Sequence, residues 1–259
     1  MKIGFVGFGN MGQALAKGLA DNKAMNPDQI YAYDINWEKL NDNTSSYGFN
    51  PCRDSKELVD SVDMVVIAVK PNVAPAVVEE IKDYLDKKIV VSIVVGYSFD
   101  KYEKIFPSNT HYICTLPNTP VSVGEGVIVY EDKHSLTDDQ LQAFVDIFSK
   151  IALVQEVSTD NLGIAGTITG CGPAFASMFI EALSDGGVKH GLPRDLSYKL
   201  ASQMLAGTAK MQLESGEHPG VMKDAVCSPG GTTIVGVASL EKHGFRSAVI
   251  EAIEEIQNK

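Results

Sequence analysis

Paired cysteines are missing from this chain. The four present, Cys52, Cys114, Cys171 and Cys227, lie far apart and include no C-x-x-C, so neither a zinc clip nor a disulfide framework is indicated. They read as buried thiols of a reducing compartment. Basic residues are also scarce: 22 Lys plus Arg face 33 Asp plus Glu, a formal charge of -11 that disfavours nucleic acid or an anionic membrane as partner. Long apolar runs are lacking as well. The best, Ile89 to Val95, is broken by Ser92 and falls far short of the roughly 18 residues that span a bilayer. The N-terminal stretch is interrupted by Gly7, Gly9, Asn10 and Gly12 and has no signal-peptide core. The expectation is a soluble protein with a cytoplasmic address. What is there is a 259-residue chain, 44% hydrophobic, with material for one large domain or two modest ones.

Up to residue 157 short β-branched runs alternate with stretches of helix length. Lys2 to Val6, Ile30 to Asp34, Met64 to Val69 and Ile89 to Val95 read as strands, with His111 to Leu116, Gly126 to Glu131 and Ile151 to Val157 as further ones. Met11 to Asp21, Pro71 to Asp86 and Thr137 to Lys150 read as helices between them. This alternation predicts an α/β fold with a parallel sheet covered by helices on both faces over 1–157. From 158 to 259 the strand signals fade. Phe175, Phe179, Leu183 and then Leu196, Leu200, Met204, Met211 recur at helical spacing, and Gly191-Leu192-Pro193 separates the two runs. Ala201, Ala206, Gly207 and Ala209 are small enough for these helices to pack closely on each other or on a second subunit; a monomeric helical cap is the plainer alternative.

Gly7-Phe8-Gly9-Asn10-Met11-Gly12 fits G-x-G-x-x-G, and its position between a strand and a helix gives the pattern its weight. The first glycine makes the tight turn, the second lets backbone approach a pyrophosphate, and the third lets helix pack on strand, with free helix N–H groups facing the diphosphate. An ordinary glycine-rich turn that binds no nucleotide is the competing reading. Asp34, at the end of the second strand, stands where an acidic residue accepts the adenosine ribose hydroxyls of a nicotinamide dinucleotide; a cap for a helix starting near Asn36 is the competing reading. Asp34 repels a 2′-phosphate, and Ile30 to Leu40 carries no Arg and only Lys39 as a cation, so NADH is expected to be favoured over NADPH. Ala68-Val69-Lys70-Pro71 closes another strand at the edge where a ligand is met, although Lys70 also reads as a solvated loop lysine.

The densest chemical signal is Ser228-Pro229-Gly230-Gly231-Thr232-Thr233-Ile234, ahead of a helix. Two glycines followed by two hydroxyl residues make a small anion nest, in which the N–H groups of Gly231, Thr232 and Thr233 converge on a carboxylate and a threonine hydroxyl serves a second atom. Capping of the helix by Ser228 or Thr232 is the alternative. The five histidines, His111, His134, His190, His218 and His243, have no spacing for a metal or a triad, so no metal is expected.

The run Ser228 to Ile234 with Leu240-Glu241 and Gly244-Phe245-Arg246, preceded by Gly186-Gly187-Val188 and Gly191-Leu192-Pro193-Arg194, closely resembles the signature of pyrroline-5-carboxylate reductases. Pro117-Asn118-Thr119-Pro120 and Gly170-Cys171-Gly172-Pro173-Ala174 are similar to two further blocks of that family, so the resemblance covers nearly the whole chain. It implies NAD(P)H-dependent reduction of 1-pyrroline-5-carboxylate, a cyclic imine carboxylate, to L-proline. It also implies a Rossmann-like domain over 1–157 and a helical substrate-binding and dimerisation domain over 158–259, commonly assembled as a decamer of five dimers. Carried onto this chain, it places the substrate on Ser228, Gly230, Gly231, Thr232 and Thr233, with Thr233 as the catalytic residue beside the imine nitrogen. The cofactor falls on Gly7 to Gly12, Asp34, Ala68 to Pro71 and Asn118. Phe175 stands where the family usually has Tyr, Cys171 where it has Ser, and Cys114-Thr115-Leu116 replaces an Arg-x-Met. These departures bear on how the substrate's flank is lined, and a related cyclic imine is the alternative substrate. A hydroxyacid-type dehydrogenase would need a catalytic lysine or acid in the helical part, and Lys199 and Lys210 have no motif around them. A dinucleotide-binding regulator without turnover would keep the glycine loop and lose the nest.

Overall fold

The computed structural model describes residues 1–259. Contacts divide the chain into two units, Met1–Cys171 and Gly172–Lys259. In chain order the first contains β1 (Ile3–Val6), α1 (Asn10–Asp21), β2 (Ile30–Tyr33), α2 (Trp37–Ser45), β3 (Asn50–Pro51), α3 (Ser55–Ser61), β4 (Met64–Ile67) and α4 (Ala74–Ile81). It continues through β5 (Ile89–Ser92), a one-turn α5 (Phe99–Tyr102), β6 (His111–Pro117), β7 (Gly126–Glu131), α6 (Asp138–Phe148) and β8 (Ala152–Val157). Then α7 (Thr159–Lys189) runs on into the second unit, which holds α8 (Arg194–Ser215), α9 (Pro219–Ala225), α10 (Thr232–Lys242) and α11 (Phe245–Gln257).

The strands form one eight-stranded sheet in the order β3-β2-β1-β4-β5-β6-β7-β8. The chain winds outward from β1 in both directions, so the carboxyl ends of β1, β2 and β4 share one edge, where an open α/β sheet binds its ligand. Successive strand residues point to opposite faces, and the core obeys this period of two. Ile3, Phe5, Met64, Val66, Val91 and Ile113 enter a cluster with Leu15 and Leu19 of α1 and Phe144 and Phe148 of α6. Val6, Val65, Ile67, Val90, Tyr112 and Cys114 enter the opposite cluster with Leu58, Val78 and Tyr102. Burial on both faces explains why these strands read as continuous apolar runs.

Several expectations need correction. The sheet is not wholly parallel, because β6 and β7 pair antiparallel. Between them lies only a short 3-10 turn, Thr119–Val123, which is too brief for the crossover a parallel pair requires. The strands stop earlier than their apolar runs, so Asp34, Val69 and Val95 lie beyond them, and Pro71 to Asp86 contains α4 followed by a 3-10 turn at Lys82–Tyr84. The expected division at 157/158 falls between β8 and α7, and the first compact unit continues through the opening turns of α7 to Cys171. Leu162 is buried there, and Gly166 stands so close to Leu116 that a Cβ would lie 2.4 Å from its Cδ1.

An unbroken apolar run is absent, yet α7 is long and apolar enough to cross a membrane by length and composition, its best window having a mean hydropathy of 1.3. Interspersed Gly and Thr hide that window from a search for continuous runs.

In the second unit, α7 and α8 approach closely through small residues: a Cβ on Gly187 would lie 2.3 Å from Ser197 Oγ, and that hydroxyl donates to Ser184 O at 3.0 Å. Arg194 pairs with Asp185 at 2.5 Å beside the same crossing. Little else here is covered, and no residue of α9, α10 or α11 is buried.

Candidate active site

At the end of β1 the chain turns through Gly7 at φ +92, where a side chain is strained and its Cβ would meet Ala68 O at 2.7 Å. Gly7 N donates to Tyr33 O, and Ala68 N to Val6 O, both at 2.8 Å, which locks the loop to the ends of β2 and β4. Gly12 lies against the loop itself, since a Cβ there would sit 2.7 Å from Gly7 O. Gly9, the N-cap of α1, faces open space and offers no side-chain cap, so the first-turn N–H groups of Asn10, Met11 and Gly12 have no acceptor of their own. These roles fit a dinucleotide: turn, open backbone, close packing, and a helix start able to receive a diphosphate.

Asp34 follows β2 with both carboxylate oxygens engaged. Oδ2 accepts from Phe8 N at 2.8 Å and Oδ1 from Asn36 N at 3.1 Å. The capping alternative is corrected, because the N-cap of α2 is Asn36, whose side chain accepts from Lys39 N. Phe8 contributes backbone only; its ring is buried against Phe5 and Phe49. Lys70 and Pro71 lie exposed past β4, with half-buried Ala68 and Val69 leading to them.

Asn118 is buried, with both its amide oxygen and its amide nitrogen engaged. Its Oδ1 accepts from Val127 N at 2.8 Å, and its Nδ2 donates to Thr169 O at 3.1 Å. The second bond has a cause further along α7: Pro173 has no N–H, so the carbonyl of Thr169 four residues earlier loses its helical donor. Asn118 supplies the missing one, tying the Pro-Asn-Thr-Pro segment to the Gly-Cys-Gly-Pro segment.

At the other candidate locus Gly230 has φ +68, and Gly231 is the N-cap of α10, again without a side-chain cap. The capping reading for Ser228 or Thr232 is therefore corrected. The nest is also corrected in one member, because Gly231 N donates to Ser228 O at 3.0 Å. The open donors are the first-turn N–H groups of Thr232, Thr233 and Ile234. A Cβ on Gly231 would lie 2.4 Å from Ser228 Oγ, so both glycines have a physical reason to be there. Thr232 and Thr233 are exposed, as is Ser228.

Other polar groups have internal duties. His218 caps α9, accepting from Gly220 N at 3.0 Å. Glu131, fully buried, takes Phe99 N at 2.7 Å and the Thr159 hydroxyl at 2.8 Å, and nothing in its local sequence announced this. Cys52 and Cys114 are buried as expected, while Cys171 and Cys227 are half-exposed. Burial pushes the Cys52 thiol up to about 12. Sequence reasoning also missed Arg53, which stacks on Trp37 with its Cζ 3.6 Å from the ring centroid. The two come from separate elements, so no local motif signals them.

A family model described as pyrroline-5-carboxylate reductase dimerisation matches residues 159–259, and one described as NADP oxidoreductase, coenzyme F420-dependent, matches residues 2–96. A pyrroline-5-carboxylate reductase of Treponema pallidum is 43% identical over 98% of this chain and 97% of its own. The enzyme of that name from Escherichia coli is 38% identical over 100% of this chain and 96% of its own. The solved structure of Plasmodium falciparum pyrroline carboxylate reductase with NADP bound is similar with a TM-score of 0.88 and 36% identity, covering 99% of this chain and 95% of the other. With the glycine loop, the proline-released carbonyl and the open start of α10 all in place, the chain belongs to the pyrroline-5-carboxylate reductase family.

Proposed function

We propose that this chain catalyses the NAD(P)H-dependent reduction of 1-pyrroline-5-carboxylate to L-proline, the last step of proline biosynthesis, with the site divided between two loops. Gly7 to Gly12, Asp34, Ala68 to Pro71 and Asn118 hold the dinucleotide; Asn118 acts by fixing the segment after β6, since its own amide is spent. Ser228, Gly230, Gly231, Thr232 and Thr233 hold the substrate. Residues 1–157 are then the nucleotide-binding part and 158–259 the substrate-binding and dimerisation part.

The observation that carries this reading is the open first turn of α10, set by the positive φ of Gly230 and the side-chain-free cap Gly231. Its N–H groups suit a carboxylate. The Thr233 hydroxyl makes no hydrogen bond within the chain and is available to the ring nitrogen. Held by the residues around the Gly7 to Gly12 loop, a reduced nicotinamide would supply the hydride that the C=N carbon needs. The imine nitrogen enters protonated, so hydride addition to the carbon leaves a secondary amine that keeps this proton, and the Thr233 hydroxyl oxygen accepts a hydrogen bond from its N–H. Pinning the carboxylate at the same turn fixes the ring with two anchors, which is the orientation that such a near-contact transfer requires.

NADH is favoured, because Asp34 opposes a 2′-phosphate. The chain forms at least a homodimer, since the helices of the second unit leave large apolar side chains such as Met178, Met211 and Val235 each more than 60% exposed. The decamer rests on the family resemblance alone. The same argument assigns α7 to a protein interface, and the cytoplasmic address rests on the family resemblance. The test is turnover: purified protein given NADH and pyrroline-5-carboxylate yields proline and oxidised cofactor in equal amounts, and folded protein that reduces no cyclic imine overturns the reading.

A further inference from the structure

Arg53 follows the carboxyl end of β3, as Asp34 follows that of β2, on the edge of the sheet that carries the glycine loop. β2 and β3 run parallel with Tyr31 opposite Asn50 and Ala32 opposite Pro51. Pairing continues past β3, because Cys52 N donates to Ala32 O at 2.8 Å. Carried two residues further, that offset relates Asp34 to Arg53, so both follow the carboxyl ends of neighbouring strands on the same edge of the sheet. Trp37 opens α2 directly after the Asp34 turn, and the Arg53 guanidinium lies on its ring at 3.6 Å.

That stacking leaves the charge unspent. Acidic neighbours are close at hand, yet they are committed elsewhere: Glu57 accepts from Arg53 N, Asp54 caps α3 at Glu57 N, and Asp34 accepts from Phe8 N and Asn36 N. The guanidinium itself forms no ion pair. An Arg whose plane is fixed by an aromatic face, with its edge donors open, has already lost the freedom that binding would otherwise cost. Its fork geometry matches a phosphate monoester.

We propose that Arg53, held on Trp37, reads the 2′ position of the adenosine ribose beside Asp34 and lets the chain accept NADPH as well as NADH. Asp34 sets the preference and Arg53 limits it: the carboxylate disfavours a 2′-phosphate, and the guanidinium supplies the opposite charge that offsets the repulsion. The inference rests on the dinucleotide reading of the Gly7 to Gly12 loop.

The test is calorimetric titration of NADH and NADPH into the wild-type protein and into R53A, R53K and W37L, read as the ratio of the two dissociation constants. In R53A the NADPH-to-NADH ratio rises about tenfold, the loss of one charge-assisted contact to phosphate. In R53K it returns part of the way, because charge is kept and the stacked fork is not. In W37L it rises in the same direction, because Arg53 has lost its support. A ratio indifferent to Arg53, including equal weakening of both dinucleotides, overturns this inference alone. A wild-type chain that binds neither dinucleotide overturns the reading of the loop, and this inference with it.

Discussion

Thr233 separates a chemical role from a structural one at the level of a single hydroxyl. Its side chain is exposed and unpaired, so Thr233→Val leaves the fold and the dinucleotide affinity intact, yet lowers kcat/KM by about 10- to 150-fold if one hydrogen bond to a charged nitrogen is lost. Steady-state kinetics with cofactor titration checks this; unchanged kcat/KM returns Thr233 to a packing residue. On the proposed ribose role of Asp34, Asp34→Ser raises kcat/KM with NADPH relative to NADH, and a ratio that does not move contradicts that role. Burial gives a pH signature of its own. The Cys52 thiol rises from 9.0 to about 12 in the folded chain, and burial pushes Cys114, Tyr102 and Tyr112 up as well. A group whose folded value is raised stabilises fully below its unfolded value, so stability holds up to about pH 9 and falls as the pH rises toward 12. Urea unfolding across that window shows the decline, and native protein at neutral pH leaves Cys52 and Cys114 unlabelled by a thiol reagent. At this scale the sequence was legible where a residue's job is local. Gly7 makes the tight turn its position implied, at φ +92, whereas Glu131 and Arg53 meet partners far away in the chain and leave no pattern to read.

Elements add a constraint that single residues do not show. The proline inside α7 and the asparagine after β6 form one device: Pro173 frees the Thr169 carbonyl, and Asn118 satisfies it while also taking the Val127 N–H. Asn118→Ala strands both groups and lowers unfolding free energy by about 2 to 4 kcal/mol, measured by urea denaturation of matched samples. A loss below half a kcal/mol would mean that water replaces the amide. The two sequence blocks were visible as a resemblance, but their connection was not, because it depends on an absent hydrogen. Strand assignment succeeded where both faces are buried and apolar runs are dense. It failed to foresee β3, which is only two residues long, and the antiparallel β6–β7 pair, because strand direction follows from the length of the connection and not from strand composition. The nest was read one residue early, since only the turn itself shows that the Gly231 N–H is consumed by Ser228 O.

The whole molecule is defined by an imbalance between its parts. The sheet unit buries apolar side chains on both faces, while the helices α9 to α11 bury none. A second copy of the chain is the natural cover for such a surface, and light scattering at micromolar concentration is expected to give at least twice the protomer mass of 27.9 kDa. A mass equal to one protomer contradicts the assembly. The helical unit's class was legible from its 3.6-residue spacing, but its exposure was not, because periodicity shows a stripe and not what covers it. Reduction of the imine couples proline formation to cofactor oxidation. Purified protein is mixed with pyrroline-5-carboxylate and either reduced dinucleotide, and proline formation is followed together with cofactor oxidation. Equal amounts of proline and oxidised cofactor, with NADH the better donor, are the predicted result; a folded chain that binds dinucleotide and forms no proline contradicts the account.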